Sequence, residues 1–208
     1  MRVILASSSA ARLKVLRAAG VFSDVLVPGV DEVSTAPDTA GRVCEIARVK
    51  GLAVRDVVGE APGEATVLIA ADTMLDIDGV SYGKPHDVGV ARGRLHGMSG
   101  NSGVLYTGHY VAVAPAGGPW VDAVEVAATT VHFASMTDDE IEWYLGTGEP
   151  LEVAGSFTMD GLGGPFIAGI EGDASNVIGL SLPLLRQMLQ KLGVEWTSLN
   201  RHPARSGA

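Results

Sequence analysis

One stretch constrains this chain more than any other. An uncharged run from Thr66 to Ala71 ends in the acid Asp72, and an Asp78-Gly79 dipeptide follows six residues later. A short apolar run closed by turn chemistry reads as a buried strand. Asp78-Gly79 is a strong two-residue hairpin signal. Folding there pairs Ile77 with Val80, Asp76 with Ser81, Leu75 with Tyr82, Met74 with Gly83 and Thr73 with Lys84. Asp72 and Lys84 are therefore expected at the open end of one hairpin, and the pairing leaves open whether a bulge turns them to one side. A carboxylate at the end of a buried strand is held rigidly enough for catalysis or metal binding. A fixed cation beside it suits phosphate chemistry better than sugar or peptide chemistry.

The flanking sequence predicts alternating elements. Arg2 to Ala6 is a short strand, Ser7-Ser8-Ser9 a turn, and Ala11 onward a helix closed by Gly20 with Ser9 as its N-cap. A strand, a serine turn and a helix together aim backbone N–H groups at an anion. Phe22 to Val27 reads as a second strand, and Asp31-Glu32 lies in the polar loop after it. Thr39 to Val57 forms a helix whose apolar stripe includes Val43, Ile46, Ala47, Val54 and Val57. Lys50 falls inside that stripe, where it must snorkel, pair with an acid or meet a ligand. Helices are expected at His86–Met98, at Asp138–Leu145 behind a Thr137–Glu140 capping box, and after Ser181. Val104–Ala114 and Val121–Ala134 are long strands, and Phe166–Ile170 is a short one. The expected fold is α/β, with a mixed, elongated, twisted sheet and flanking helices.

Composition narrows the function classes. With 208 residues, 47% of them hydrophobic, one domain over residues 1–200 with a flexible tail at 201–208 is the expectation. The net charge of -9 opposes a nucleic-acid backbone as partner, but not a nucleotide held by a few cleft cations. The single cysteine, Cys44, excludes an intrachain disulfide and a clustered-cysteine zinc site. No signal core or membrane-length apolar run is seen, so a membrane partner is not expected and a cytoplasmic compartment is. No GxxxxGK[ST] loop, no dinucleotide GxGxxG after the first strand and no GxSxG elbow occurs. The five histidines lack metal-ligand spacing and read as surface or satisfied core.

Four polar groups stand out: Ser7, Ser8, Ser9 and Arg12; Asp31-Glu32; Lys50; and Asp72, Thr73 and Lys84. Each has a bland reading as a cap, a solvated turn, a snorkelling side chain or a loop cap. Taken together they describe one site. Arg12, Lys50 and Lys84 can neutralise a polyphosphate, while Glu32 and Asp72 can bind a divalent ion or activate water.

The same residues carry a family resemblance. ILASSSAARLKVL at 4–16, VDE at 30–32, Lys50, AADT at 70–73, GKP at 83–85, SGN at 99–101, YTG at 106–108, EP at 149–150, AGSF at 154–157 and GLSLP at 179–183 occur in order. Over Arg2 to about Leu192 the chain resembles the Maf-type nucleoside triphosphate pyrophosphatases, the septum-formation-inhibitor family. The resemblance implies two lobes around a nucleotide cleft, a cytoplasmic enzyme that is often a homodimer, and a magnesium or manganese ion. It implies hydrolysis of a nucleoside triphosphate to the monophosphate and pyrophosphate, with Asp72 as general base. It places Ser7, Ser9 and Arg12 in the phosphate-binding signature and Glu32, Lys50 and Lys84 at active-site positions. Clearance of non-canonical nucleotides or restraint of cell division would be the role. Two departures stand out. The family's usual SPRR reads Ser9-Ala10-Ala11-Arg12, which removes one guanidinium and keeps alive an alternative, a nucleotide-binding regulatory protein with weak catalysis. Asp160 stands where members acting on dTTP and UTP usually carry glutamine, leaning toward the 7-methyl-GTP branch, whereas Thr73 agrees with the dTTP/UTP branch.

Overall fold

The buried run becomes the central strand of a seven-stranded mixed sheet. The structure, a computed structural model, describes residues 1–199. The tail expected at 201–208 lies outside the described residues. In chain order the main elements are β1 (Arg2–Ala6), α1 (Ala10–Ala18), β2 (Asp24–Val25), α2 (Thr39–Val58), β3 (Thr66–Ile77), β4 (Val80–Tyr82), α3 (Val88–Met98), β5 (Ser102–Ala114), β6 (Val121–Phe133), α4 (Asp138–Gly146), β7 (Ile167–Glu171), α5 (Ala174–Ile178) and α6 (Leu182–Lys191). The sheet order is β2-β1-β3-β5-β6-β7, with β4 added on β3. Among the described residues no helix is long and apolar enough to cross a membrane.

The two edges of β3 are treated differently, and that difference makes the cleft. One edge pairs continuously with β5, antiparallel from Thr66↔Ala114 to Asp76↔Val104. The other edge is shared: β1 runs parallel to Thr66–Ala70, and β4 runs antiparallel to Leu75–Ile77. Among the described residues Ala71 to Met74 have no strand on that side. The hairpin forms at Asp78-Gly79 in the expected register, but it stops after Leu75↔Tyr82. The expected Met74–Gly83 and Thr73–Lys84 pairs are absent. The Gly83 carbonyl instead accepts from Arg94 Nη1 at 2.6 Å and from the Gly155 N–H at 3.3 Å, so the chain leaves the sheet there.

Successive β3 residues face opposite layers. Leu68 and Ala70 pack with Ile4, Ala6, Tyr110 and Ala112 under α2, while Val67, Ile69 and Ala71 pack with Leu5, Val111 and the α1–α6 layer. Each fully buried Leu or Ile contributes about 1.5–3 kcal/mol of transfer free energy. A second lobe forms where β3, β5 and β6 extend past the gap. There Leu75, Leu105, Val131, Leu95, Ile141, Tyr144 and Phe157 share a core with α3 and α4.

Some elements depart from expectation. The second strand shrinks to Asp24–Val25 on the sheet edge, with Phe22 and Val27 exposed because no layer covers them. α3 starts at Val88 rather than His86, because Asp87 Oδ1 accepts the Val90 N–H at 2.8 Å and His86 takes a left-handed φ of 54°. α5 was not expected; Asp173 caps its five residues, and Gly179 ends them with φ 115°. The Thr137 capping box and the Ser181 cap are both present.

Candidate active site

Asp72 follows Ala70 on the α2 face of β3, inside the stretch that lacks a partner strand on the β1/β4 edge. Opposite it on β5 is Gly108. A Cβ at Gly108 would lie 2.3 Å from the Val43 carbonyl oxygen of α2, and one at Gly51 would lie 2.0 Å from the Tyr110 ring. These two glycines let α2 lie closer to the sheet than any larger residue allows. The close approach brings Lys50 onto the acid: its Nζ is 2.7 Å from Asp72 Oδ1 and 2.8 Å from Glu32 Oε1. The lysine and Asp72 are both buried, while Glu32 lies in an exposed loop. The expected choice between snorkelling, pairing and ligand binding is thus resolved as pairing, with two acids. Among the described residues neither carboxylate's other oxygen accepts a hydrogen bond, and no group of three or more His, Cys, Asp or Glu side chains could hold a metal.

Thr73 faces the opposite layer, toward α1. Ser9 caps α1, its Oγ accepting the Arg12 N–H at 3.4 Å, and Ser7 Oγ accepts the Ser9 N–H at 3.1 Å. That cap puts Arg12 one turn into the helix, buried against the cleft wall. Its guanidinium donates from Nε to the Gly179 carbonyl at 2.8 Å, from Nη1 to Ser7 Oγ at 3.1 Å and from Nη2 to Thr73 Oγ1 at 3.0 Å. All three acceptors are neutral. Burial pushes the guanidinium below its ordinary value, and the nearby charges of Asp72 and Glu32 oppose that shift without touching it. A buried cation supported only by neutral dipoles is incompletely compensated, and an anion in the cleft would complete it.

Both faces open into one cleft of 490 Å³. Ser7, Ser9, Arg12, Glu32, Lys50, Asp72 and Thr73 line its polar part, and Met74, Leu105, Phe157, Met159, Val177 and Ile178 give it an apolar part. Lys84 and Asp160 also line the cleft, but neither joins the central cluster by direct contact. Lys84 is half-exposed and faces Glu152 at 4.0 Å. The expected Lys84–Asp72 neighbourhood through strand pairing does not form, because the return strand has ended. Asp160 pairs with Lys14 of α1 at 2.9 Å. Glu149 accepts bonds from Tyr144, Thr158 and the Leu162 and Gly163 N–H groups, which fixes the loop carrying Thr158 to Asp160.

Sequence reasoning missed Gly51, Gly108, Thr107 and Gly179. Thr107, Gly108 and Gly179 do fall within the YTG and GLSLP motifs, but nothing in those motifs announces a role. Gly51 carries no local signal at all, since its purpose is set by a ring on another element.

Comparison with known proteins bears on the family. A family model described as Maf-like protein matches residues 2–192. A nucleoside triphosphate pyrophosphatase from Salinispora tropica is 50% identical over 200 residues, covering 96% of this chain and 87% of that protein. One from Nocardia farcinica is 48% identical over 209 residues, covering 98% of both. Among solved structures, a nucleoside-triphosphatase / dITP/XTP pyrophosphatase from Mycobacterium abscessus aligns at 14% identity over 92% of this chain and 94% of its own, with a TM-score of 0.38, too low to carry an argument.

Proposed function

The chain belongs to the Maf family, and from that premise we propose that its cleft hydrolyses a nucleoside triphosphate to the monophosphate and pyrophosphate. The observation that carries this reading is the buried, incompletely compensated Arg12 beside the Lys50–Asp72 pair. The polar part of the cleft suits a triphosphate, and the apolar part suits a base and sugar. The names of the relatives point the same way.

In this reading Asp72 is the general base. Lys50 fixes the carboxylate through Oδ1, and Oδ2 takes the proton from the attacking water. Attack at the α-phosphorus breaks the bond to the bridging oxygen and releases pyrophosphate. Arg12 and the α1 N-terminus hold the phosphoryl oxygens as charge develops on them, and Lys84 neutralises the tail of the triphosphate once the anion draws it from Glu152. A magnesium or manganese ion fits the donor set. Glu32 would hold it through the carboxylate oxygen not paired with Lys50, with phosphate and water completing the set as magnesium sites commonly do, which leaves Asp72 Oδ2 for the proton. When bound there, the ion would supply charge neutralisation on the phosphates.

Product analysis in ¹⁸O-labelled water tests the reading. With magnesium and a panel covering dTTP, UTP, CTP, GTP and 7-methyl-GTP, pyrophosphate should appear with the label in the monophosphate. Label in the pyrophosphate would move the attack to the β-phosphorus, and release of orthophosphate would make the protein a phosphatase. Saturable binding without turnover would favour the regulatory alternative.

A further inference from the structure

His109 shares one face of β5 with Thr107, Val111 and Val113, and the two valines pack into the α1–α6 layer. It is fully buried. Its Nε2 lies 2.9 Å from the backbone nitrogen of Ser181, and its Nδ1 lies 3.0 Å from the Thr107 carbonyl oxygen. The backbone N–H can only donate, so Nε2 accepts; the carbonyl can only accept, so the ring proton is on Nδ1. These partners require the neutral tautomer.

Both partners support the Arg12 guanidinium. Thr107 stands opposite Thr73 in the sheet, and their hydroxyls are 3.1 Å apart; Thr73 Oγ1 accepts from Arg12 Nη2. Ser181 lies two residues beyond Gly179, whose carbonyl accepts from Arg12 Nε. Within that turn, the Gly179 N–H goes to the Asn176 carbonyl, the Leu180 N–H to the Ser175 carbonyl and the Leu182 N–H to Ser175 Oγ. Those three bonds stay within the α5–α6 segment. The Ser181 N–H alone among them reaches the sheet, and it does so through His109.

We propose that His109 is a positioning residue that sets the Arg12 guanidinium for phosphate by tying the Gly179–Ser181 turn to β5. The inference rests on the reading of Arg12 as a phosphate ligand. A leucine at 109 would fill the apolar face as well as its neighbours do. It would also leave a buried N–H unpaired and release the Gly179 carbonyl from its fixed direction. Burial, with the charge of Arg12 acting in the same direction, lowers the ring's pKa to about 4, while the Thr107 bond and the Asp173 charge oppose the shift. The acceptor is therefore intact at neutral pH, and no second cation stands beside Arg12.

The test is a double-mutant cycle read on binding of inorganic tripolyphosphate, with kcat and KM for dTTP measured alongside. His109→Leu should weaken tripolyphosphate by about ten-fold. In an Arg12→Met background the same change should alter affinity by less than about two-fold, because there is no guanidinium left to misplace. His109→Gln, whose amide oxygen can reach the Ser181 N–H, should recover most of the loss, while the shorter His109→Asn should not. Equal loss in both Arg12 backgrounds, or equal affinity of the Gln and Asn variants, overturns the proposal. The Gln–Asn contrast decides if the Leu variant does not fold. Wild-type protein that binds tripolyphosphate but releases no pyrophosphate from nucleotides would overturn the proposed function and leave this inference standing. Wild-type protein that does not bind tripolyphosphate would overturn the inference.

Discussion

The two faces of β3 present their cations to the cleft in opposite ways. On the α2 face, Lys50 lies between two carboxylates, and its charge is more than matched. On the α1 face, Arg12 is buried among a carbonyl and two hydroxyls, with no carboxylate among the described residues in contact. The first arrangement fixes an acid; the second holds a cation on neutral acceptors, which in the proposed reading leaves it for an anion. Guanidinium suits the second task, since it stays charged when buried and spreads its donors over several neutral acceptors, whereas a buried lysine loses its charge more readily. Asp72, which Lys50 fixes, and Thr73, which holds the Arg12 guanidinium, are thus only one residue apart on a single strand, separated by its alternation.

Substitutions should separate the two faces. The largest effect belongs to Asp72→Asn, which keeps the shape and removes the proton acceptor. Its kcat should fall by about 10³-fold with an unchanged circular dichroism spectrum. Turnover within a factor of about two of wild type would remove Asp72 from the base role. Next comes the pair Lys50→Met and Arg12→Met, compared by urea unfolding and by tripolyphosphate affinity. Lys50→Met strands the buried Asp72 carboxylate and should cost about 3 kcal/mol of stability. Arg12→Met removes a buried charge that has no ionic partner, so it should cost only about 1 kcal/mol while weakening tripolyphosphate by about 30-fold. Equal stability losses would dissolve the contrast between the faces.

His109 offers a pH test of the α1 face. Its folded-state pKa of about 4 lies below the ordinary 6.5, so on acidification the unfolded chain takes up the proton first. Stability from this group is therefore fully present above about 6.5 and falls as the pH drops toward about 4, by about 3 kcal/mol in all. Urea midpoints at pH 7 and pH 4.5 should show a smaller acid loss in His109→Gln than in wild type, and identical losses would contradict the neutral buried ring. The smallest effect belongs to the exposed Lys14–Asp160 pair. Asp160→Asn should change stability by less than about 0.5 kcal/mol, so any larger change in the dTTP to 7-methyl-GTP rate ratio would report a contact with the base rather than a folding defect.

Much of this was legible in the sequence because it depends on local chemistry. The run 66–71 with Asp78-Gly79 determined a buried strand, a hairpin and the register of its first three pairs. Ser9, Thr137 and Ser181 announced three helix starts through their side-chain oxygens. Lys50, misplaced on an apolar stripe, had to snorkel, pair with an acid or meet a ligand, and the local pattern did not choose among them. The family motifs, spread from Arg2 to about Leu192, brought the rest of the site residues forward. What the sequence could not show was where the hairpin stops, since that depends on Arg94 and Gly155 competing for the Gly83 carbonyl. Nor could it show that Lys84 would face Glu152, or that a lone histidine on an apolar strand would hold a turn 72 residues away. The local sequence determined which groups exist and which layer each β3 residue faces, because strand alternation and capping act over a few residues. Only the tertiary structure decided which charges meet, because the gap in β3, the glycine-permitted approach of α2 and the tether at Ser181 each need atoms from distant segments in van der Waals or hydrogen-bond contact.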